Sequence, residues 1–398
     1  MLKFIRFNVS RFIDSQSFGG VLLALAALAA LSVSNSPWSE AYQQLLHLPM
    51  ELSWGAHRLL LPMPLVFWVN DLWMAVFFFL VGLEIKRELL VGELASPAQL
   101  LLPACAALGG MVLPALIYVV LNWGDAVALR GWGIPMATDI AFALGILVLF
   151  GSRIPESLKV FLTTVAIIDD LGAILVIALF YTTALSAIML LASLACMMAL
   201  LALNRARVAS IWCYVVLGLL LWVCILKAGV HPTLAGVITA LAIPMADGKG
   251  GSPLHNAEHA LQPWVAYLIL PLFAFVNAGV ALQGVTFTML LQSVPLGIVS
   301  GLLLGKGIGV FGASWVMIRW GGARLPAHSS WRQFLAVCVL CGVGFTMSLF
   351  IGALAFAPAS ASYESQVKLG VLLGSLLSAV LATVLFLTSQ ANAQSVRG

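Results

Sequence analysis

The stretch TTVAIIDDLGAILV, residues 163–176, places two adjacent aspartates, Asp169 and Asp170, in the middle of an apolar run. Hydrophobic residues make up 62% of the 398-residue chain and charged residues only 9%, and the mean hydropathy is +1.08. Repeated apolar segments of about 20 residues are typical of a chain that crosses a lipid bilayer many times. The sequence therefore predicts an all-α polytopic membrane protein, in which two like charges at membrane depth require a specific reason.

Twelve apolar segments are predicted to cross the membrane. An even number of crossings places both termini on the same side. Loops on that side hold 14 of the 19 lysines and arginines, loops on the other side hold four, and the remaining one, Lys306, lies inside a segment. By the positive-inside rule both termini then face the cytoplasm. The twelve segments are 18–34, 65–86, 98–121, 126–150, 157–181, 185–203, 210–226, 229–243, 260–281, 295–318, 333–356 and 366–388.

Several functional classes are disfavoured by composition and motifs. The formal net charge of +4 is scattered over short loops rather than gathered in one patch, which argues against nucleic-acid binding. The chain has no G-x-x-x-x-G-K-S/T phosphate loop, so we expect neither ATP as the energy source nor any cofactor. The six cysteines lie in apolar segments without metal-ligand histidines beside them, so we expect no disulfide and no structural metal. Residues 1–398 are predicted to form one integral membrane domain.

Four ionisable side chains fall deep inside predicted membrane segments: Asp139, Asp169, Asp170 and Lys306. Each such group costs at least about 2.5–3.5 kcal/mol by insertion scales, so it usually faces the protein interior and has a function. Lys306 can neutralise one aspartate as a purely structural pair, but two negative charges then remain uncompensated. We therefore expect a cation to visit this site, or protons to bind the carboxylates, or both in turn.

Two of the predicted helices contain interruptions near these charges. In GWGIPMATDIAFALG, residues 131–145, Pro135 removes a backbone donor just before Thr138 and Asp139. In CGVGFTMSLFIG, residues 341–352, two glycines weaken the helix just before a threonine and a serine. Irregular backbone at membrane depth is tolerated where it is buried or lines a wet cavity, and interruptions at corresponding positions of two halves indicate the ion site of a transporter.

These segments resemble the bacterial NhaA sodium/proton antiporters. The resemblance runs from the first predicted helix to the last, on GIPMATDIAFALGIL, LTTVAIIDDLGAILVIALFYT, LGKGIGVFG, FFFLVGLEIKRELLVGEL and HPTLAGV. It implies a fold of about twelve helices in which 98–181 and 295–388 are inverted repeats. The interrupted helices of these repeats, 126–150 and 333–356, would cross near the membrane centre.

The resemblance also implies roles for the buried residues. Asp170 would be the main ligand of the transported cation, Asp169 would alternate between the cation and Lys306, and Thr138 would lie near the site. Asp139 and Lys306 would offset the facing dipole ends of the interrupted helices.

The activity that the resemblance implies is transport rather than catalysis. Family members exchange internal Na⁺ or Li⁺ for external protons in the bacterial inner membrane and become active at alkaline pH. The partners would be these ions, membrane lipid and a second copy of the chain, bound through the external region 35–64. Asp169 and Asp170 would hold Na⁺ as cargo rather than as a resident metal.

A pH-responsive cytoplasmic funnel is a further implication of the resemblance. Without the resemblance, ordinary solvated charges at helix ends are the simpler interpretation of the same residues. Some relatives carry a histidine one turn after His259, where this chain has Gln262, so a sensor that depends on that histidine is altered here. The residues concerned are Glu84, Lys86, Arg87, Glu88, Glu258 and His259, with His231 as an external position.

Three other functional classes remain as alternatives. An intramembrane aspartyl protease also uses two buried aspartates, but around a Gly-x-Gly-Asp motif that this chain lacks. A sodium-coupled symporter would need a pocket for an organic substrate. A passive channel is disfavoured because a deep carboxylate pair would bind the cation too tightly for fast exit.

Overall fold

The computed structural model describes residues 16–50, 53–54, 57–58, 63–182, 185–247, 250–357 and 361–395. The described residues are mostly helical. The helices are α1 (Gln16–Ser34), α2 (Ser39–Leu46), α3 (Leu65–Val91), α4 (Pro97–Leu121), α5 (Ile140–Leu149), α6 (Glu156–Phe180), α7 (Ala187–Arg205), α8 (Ile211–Ala228), α9 (Leu234–Ala242), α10 (Pro253–Asn277), α11 (Ser293–Trp320), α12 (Trp331–Leu340), α13 (Phe345–Phe356) and α14 (Ala361–Ser395). Shorter helical stretches are Glu93–Ala95, Ala128–Met136, Gly151–Arg153 and Phe287–Leu290.

The membrane-spanning prediction agrees closely with these helices. Ten helical segments in the described part of the chain are long and apolar enough to cross a membrane, and the bent pair α1–α2 would make an eleventh. Helix α9 stands where 229–243 was predicted, but it has nine residues and is only about 14 Å long. The all-α polytopic class is therefore confirmed, while one of the twelve predicted spans is a short helix.

Local sequence sets several of the helix ends. The Ser330 side chain accepts a hydrogen bond from the Gln333 backbone, and the Gln333 side chain accepts one from Ser330, so α12 begins with a capping box. Helix α10 begins after Ser252, whose hydroxyl accepts from the His255 backbone. Helix α8 ends at Ala228 and is followed by Gly229, which adopts a left-handed conformation with φ of 82° that favours glycine.

The predicted external region 35–64 is described only in part. It contains α2 and two antiparallel strand pairs, β1 (Pro49–Met50) with β4 (Met63–Pro64) and β2 (Ser53–Trp54) with β3 (His57–Arg58). Residues 51–52, 55–56 and 59–62, which belong to the predicted dimer segment, lie outside the described residues.

The chain divides into two compact units. One comprises Met1–Leu25, Ser96–Ala173 and Val280–Gly398, and the other comprises Ala26–Ala95 and Ile174–Gly279. The four deeply placed charges of the sequence, Asp139, Asp169, Asp170 and Lys306, all belong to the first unit. The helix-end charges of the predicted funnel belong to the second.

Helices α4 and α11 approach each other closely within the first unit. Gly109 on α4 faces Gly309 on α11, and a Cβ added to either glycine would overlap the backbone of the other. Small residues at such a crossing allow two membrane helices to pack backbone against backbone. This contact brings α11, which carries Lys306, against α4.

The close approach at Gly309 gives a test of this packing. Gly309→Ala should lower the melting temperature of the detergent-purified protein, because overpacking costs about 1–3 kcal/mol. Gly312→Ala is the matched control, because a Cβ at Gly312 meets no atom within 4 Å and alanine favours the helix. Equal melting temperatures for the two variants would contradict the close crossing of α4 and α11.

Candidate cation site

Both interruptions predicted from the sequence are present, and they meet within the first unit. The chain passes from Ala128–Met136, a 3₁₀ helix, through an extended backbone at Ala137 and Asp139 into α5. A second break, residues 341–344, separates α12 from α13. The Asp139 N–H donates to the Val343 carbonyl at 2.7 Å. A backbone donor of the first break thus bonds a backbone acceptor of the second.

Two hydroxyl groups reinforce this contact between the breaks. The Thr138 hydroxyl donates to the Cys341 carbonyl at 2.9 Å. The Ser348 hydroxyl donates to the Ile134 carbonyl at 2.7 Å. Carbonyls that lose their helical partners at the interruptions thus gain side-chain donors, which is how irregular backbone persists at membrane depth.

Asp139 joins the N-terminal ends of α5 and α13. Its Oδ1 accepts from the Phe142 N–H at 2.9 Å, which caps α5. Its Oδ2 accepts from the Thr346 N–H at 3.0 Å and from the Thr346 hydroxyl at 2.5 Å. The carboxylate therefore lies where the positive dipole ends of two helices converge.

Lys306 forms the buried ion pair of the site. Its side chain is completely buried and lies at the end of a π-helical turn, Gly301–Lys306. The ammonium group is 2.6 Å from Asp169 Oδ2 and also donates to the Met136 carbonyl. Met136 is the last residue of the 3₁₀ helix, so the lysine charge lies at a negative dipole end.

Asp169 and Asp170 are both buried on α6, at 1% exposure each. Asp169 Oδ2 also lies 2.8 Å from the Thr138 hydroxyl, whose single hydrogen is shared between this carboxylate and the Cys341 carbonyl. Asp169 Oδ1 accepts no hydrogen bond from any described residue. A buried carboxylate oxygen without a donor is costly, so this atom is available to a cation or a proton. Adjacent side chains on a helix diverge by about 100°, so Asp170 points elsewhere than Asp169.

The structure divides the predicted funnel residues of the second unit among separate contacts. Arg87 Nε donates to both carboxylate oxygens of Glu258 at 3.0 Å, and Arg87 Nη1 pairs with Glu88 at 2.6 Å. Glu84 interacts electrostatically with the same three residues. Lys86 instead donates to the Leu241 and Ile243 carbonyls and so caps the C-terminal end of α9.

The two histidines that were predicted with this set lie apart from the arginine cluster. His259 faces His255, with 3.1 Å between their Nε2 atoms. His231 Nδ1 lies 2.7 Å from the Thr233 hydroxyl, and its Nε2 lies 3.5 Å from Asp71. The sequence interpretation missed both the His255 contact and the Asp71 contact. The four-residue spacing of His255 and His259 was a visible signal, whereas the Asp71 contact depends on the fold.

The Asp139–Thr346 contact can be tested by removing one hydroxyl. Thr346→Val should lower the melting temperature, because a hydrogen bond to a charged group contributes about 1.5–3 kcal/mol. Thr388→Val, which removes an exposed hydroxyl bonded only within its own helix, should change the melting temperature little. A Thr346→Val protein as stable as this control would contradict the contact.

A polytopic helical protein with interrupted helices around buried carboxylates and a lysine is a secondary ion transporter in class. A family model described as Na⁺/H⁺ antiporter 1 matches residues 10–386. The Na(+)/H(+) antiporter NhaA of Albidiferax ferrireducens is 69% identical over 390 residues, 98% of this chain and 99% of that protein. NhaA 1 of Pseudomonas putida KT2440 is 53% identical, with 93% of each chain covered, and NhaA of Rhodospirillum rubrum is 54% identical, with 94% and 93% covered. The chain belongs to the NhaA family of Na⁺/H⁺ antiporters, which are transporters and not enzymes.

Proposed function

We propose that this protein exports Na⁺ or Li⁺ from the cytoplasm in exchange for external protons, and that cation and protons compete for Asp169 and Asp170. Family membership supports sodium/proton exchange. The observation that carries the mechanism is the buried pair of Lys306 and Asp169, with a second buried carboxylate next to it on α6. The pair must open before a cation can bind Asp169 at both oxygens.

The donor set suits a hard cation. Na⁺ and Li⁺ prefer oxygen ligands, and the site offers two carboxylates, the Thr138 hydroxyl and backbone carbonyls at the interruptions, each of which keeps a second lone pair. The negative charge of Asp139 is stabilised by the N-terminal ends of two helices, so we do not count this residue among the cation ligands. If Asp169, Asp170 and Lys306 are all ionised, the site has a net charge of −1, which one monovalent cation would balance.

One charge scheme assigns a carried proton to Lys306. In the proton-loaded state Asp170 is neutral, and Asp169 is paired with a protonated Lys306. When Na⁺ displaces Lys306 and both aspartates ionise, one proton leaves Asp170 and one leaves the lysine. Each cycle then exports one Na⁺, imports two protons and moves one positive charge inward. A membrane potential that is negative inside therefore favours the exchange, and contributes a free energy of about 2.3 kcal/mol per cycle for each 100 mV.

A second scheme places both protons on Asp169 and Asp170, and leaves Lys306 a structural role. Both schemes use the same residues and the same stoichiometry. They differ in what the exchange does when the lysine is replaced, because only the first scheme loses a carried proton.

The finer features of the proposal rest on sequence and resemblance. The excess of lysine and arginine in one set of loops supports the inner membrane with both termini in the cytoplasm. Five of those residues, Lys3, Arg6, Arg11, Lys249 and Arg397, lie outside the described residues. The resemblance supports inverted repeats over 98–181 and 295–388, contacts with lipid, and a homodimer formed through 35–64.

Regulation by pH is proposed for the cluster of the second unit. In this cluster one arginine, Arg87, forms ion pairs with Glu88 and Glu258. It also interacts electrostatically with Glu84. Protonation of a carboxylate would release Arg87 and loosen the link between α3 and α10, since a charged pair needs both partners ionised. Exchange should therefore increase toward alkaline pH.

The proposed exchange is tested by ΔpH-driven fluorescence dequenching in membrane vesicles. Na⁺ and Li⁺ should dequench the signal and K⁺ should not, because a site of closely spaced oxygens excludes the larger ion. The response should grow between about pH 6.5 and 8.5. Asp170→Asn should abolish it and also abolish sodium-dependent proton release by the purified protein.

The control for this experiment is Asp125→Asn, at an exposed aspartate outside the site. Asp125 accepts hydrogen bonds from the Ala128 and Val127 N–H groups, which hold the pKa of this carboxyl below its usual range. Asparagine keeps the oxygen acceptor, so this variant should exchange normally. Sodium-dependent proton release by a folded Asp170→Asn protein would overturn the site assignment.

Lys306→Gln distinguishes the two charge schemes. If Lys306 carries a proton, its loss leaves one proton exchanged per Na⁺, and exchange becomes electroneutral. Stability should fall as well, because removal of one partner leaves Asp169 as a buried charge, at a cost of about 3–5 kcal/mol. Proteoliposomes clamped with potassium and valinomycin provide the measurement. Exchange by the active variant that still responds to the potential would exclude the lysine as a proton carrier.

A further inference from the structure

Two exposed histidines form a close pair on α10. His255 and His259 lie one helical turn apart, and their Nε2 atoms are 3.1 Å from each other. The ring centroids are 4.3 Å apart and the rings are nearly perpendicular, at 83°. The two Nε2 atoms are therefore close enough for one ion to contact both of them.

We propose that His255 and His259 bind a divalent transition-metal ion such as Cu²⁺, Ni²⁺ or Zn²⁺, at a site separate from the transported cation. Imidazole nitrogen is a preferred ligand of these metals, whereas Na⁺ and Li⁺ prefer oxygen. At metal–nitrogen distances of about 2.0–2.1 Å, nitrogens 3.1 Å apart subtend an angle of about 100° at the metal. That angle lies between square-planar and tetrahedral values, so the spacing of the two nitrogens suits either coordination geometry.

The metal would replace a hydrogen bond between the rings. Without metal, one Nε2 carries a proton and donates it to the other Nε2, which is the contact in the structure. With metal, both rings carry their protons on Nδ1 and direct both Nε2 lone pairs to the ion. The backbone N–H of His255 donates to the Ser252 hydroxyl at the start of α10, and this hydrogen bond holds the backbone at His255 in place.

Neighbouring side chains define how many ligands the chain supplies. Glu258 lies between the two histidines in sequence, but its carboxylate is buried and bonded to Arg87, so it is not a third ligand. Gln262 follows His259 by three residues and lies on the same side of the helix. The described chain therefore offers two strong ligands, and water completes the coordination sphere.

Titration calorimetry on the full-length protein without a polyhistidine tag tests this site. Each of Cu²⁺, Ni²⁺ and Zn²⁺ is titrated separately, and Mg²⁺ serves as the hard-cation control. We expect saturable binding of one transition-metal ion per chain and no comparable binding of Mg²⁺. His255→Gln and His259→Gln should each weaken the binding about tenfold or more, because each removes one of two ligands.

Two further variants sharpen the result. His47→Gln, at an exposed histidine near the end of α2, should leave the affinity unchanged. Gln262→His should strengthen binding about tenfold or more, because it adds a third imidazole on the same face. Circular dichroism and melting temperature show that each variant is folded, which is expected because the substituted side chains of positions 255 and 259 are exposed.

Three outcomes would overturn the proposal. The first is the absence of transition-metal binding to the unaltered protein. The second is binding that survives both His255→Gln and His259→Gln. The third is binding lost in Asp170→Asn but retained in the histidine variants, which would place the metal at the transport carboxylates instead.

Discussion

The membrane interior supplies no water to backbone groups, so every interrupted helix must find partners within the protein. In the first unit the two interruptions provide those partners to each other, through the Asp139 N–H, the Thr138 hydroxyl and the Ser348 hydroxyl. This requirement explains why polar residues flank both breaks. It also brings four helix ends together, and their dipoles create places for charges of both signs.

The charges of the site follow from that arrangement. Asp139 lies at two positive helix ends, and Lys306 lies at the carbonyl that ends the 3₁₀ helix. Among the described residues, Lys306 and Thr138 contact one oxygen of Asp169, and no hydrogen-bond donor reaches the other. The proposed exchange uses these two features, because a cation that binds Asp169 at both oxygens must separate Asp169 from Lys306 and can occupy the oxygen that no described residue engages.

The second unit uses its charges in a different way. Lys86 caps a short helix, Arg87 links α3 to α10 through Glu258, and His255 and His259 face each other on the surface of α10. Charges that look alike in sequence thus have separate partners. A substitution at Lys86 removes contacts to the end of α9, whereas a substitution at Arg87 removes the contact between α3 and α10.

The sequence alone determined the membrane class, nearly all helix positions, the two interruptions and the presence of four ionisable side chains at membrane depth, because hydropathy and the cost of burying charge are local properties. It overestimated α9, because apolar composition does not fix where a helix begins. The Asp169–Lys306 pair of the structure was implied by the resemblance, whereas only the tertiary structure decided that Asp139 contacts Thr346 at the start of α13 and that His231 lies beside Asp71. These contacts join residues up to 207 positions apart, and such distances are set by how helices pack, which the order of residues along one helix does not specify.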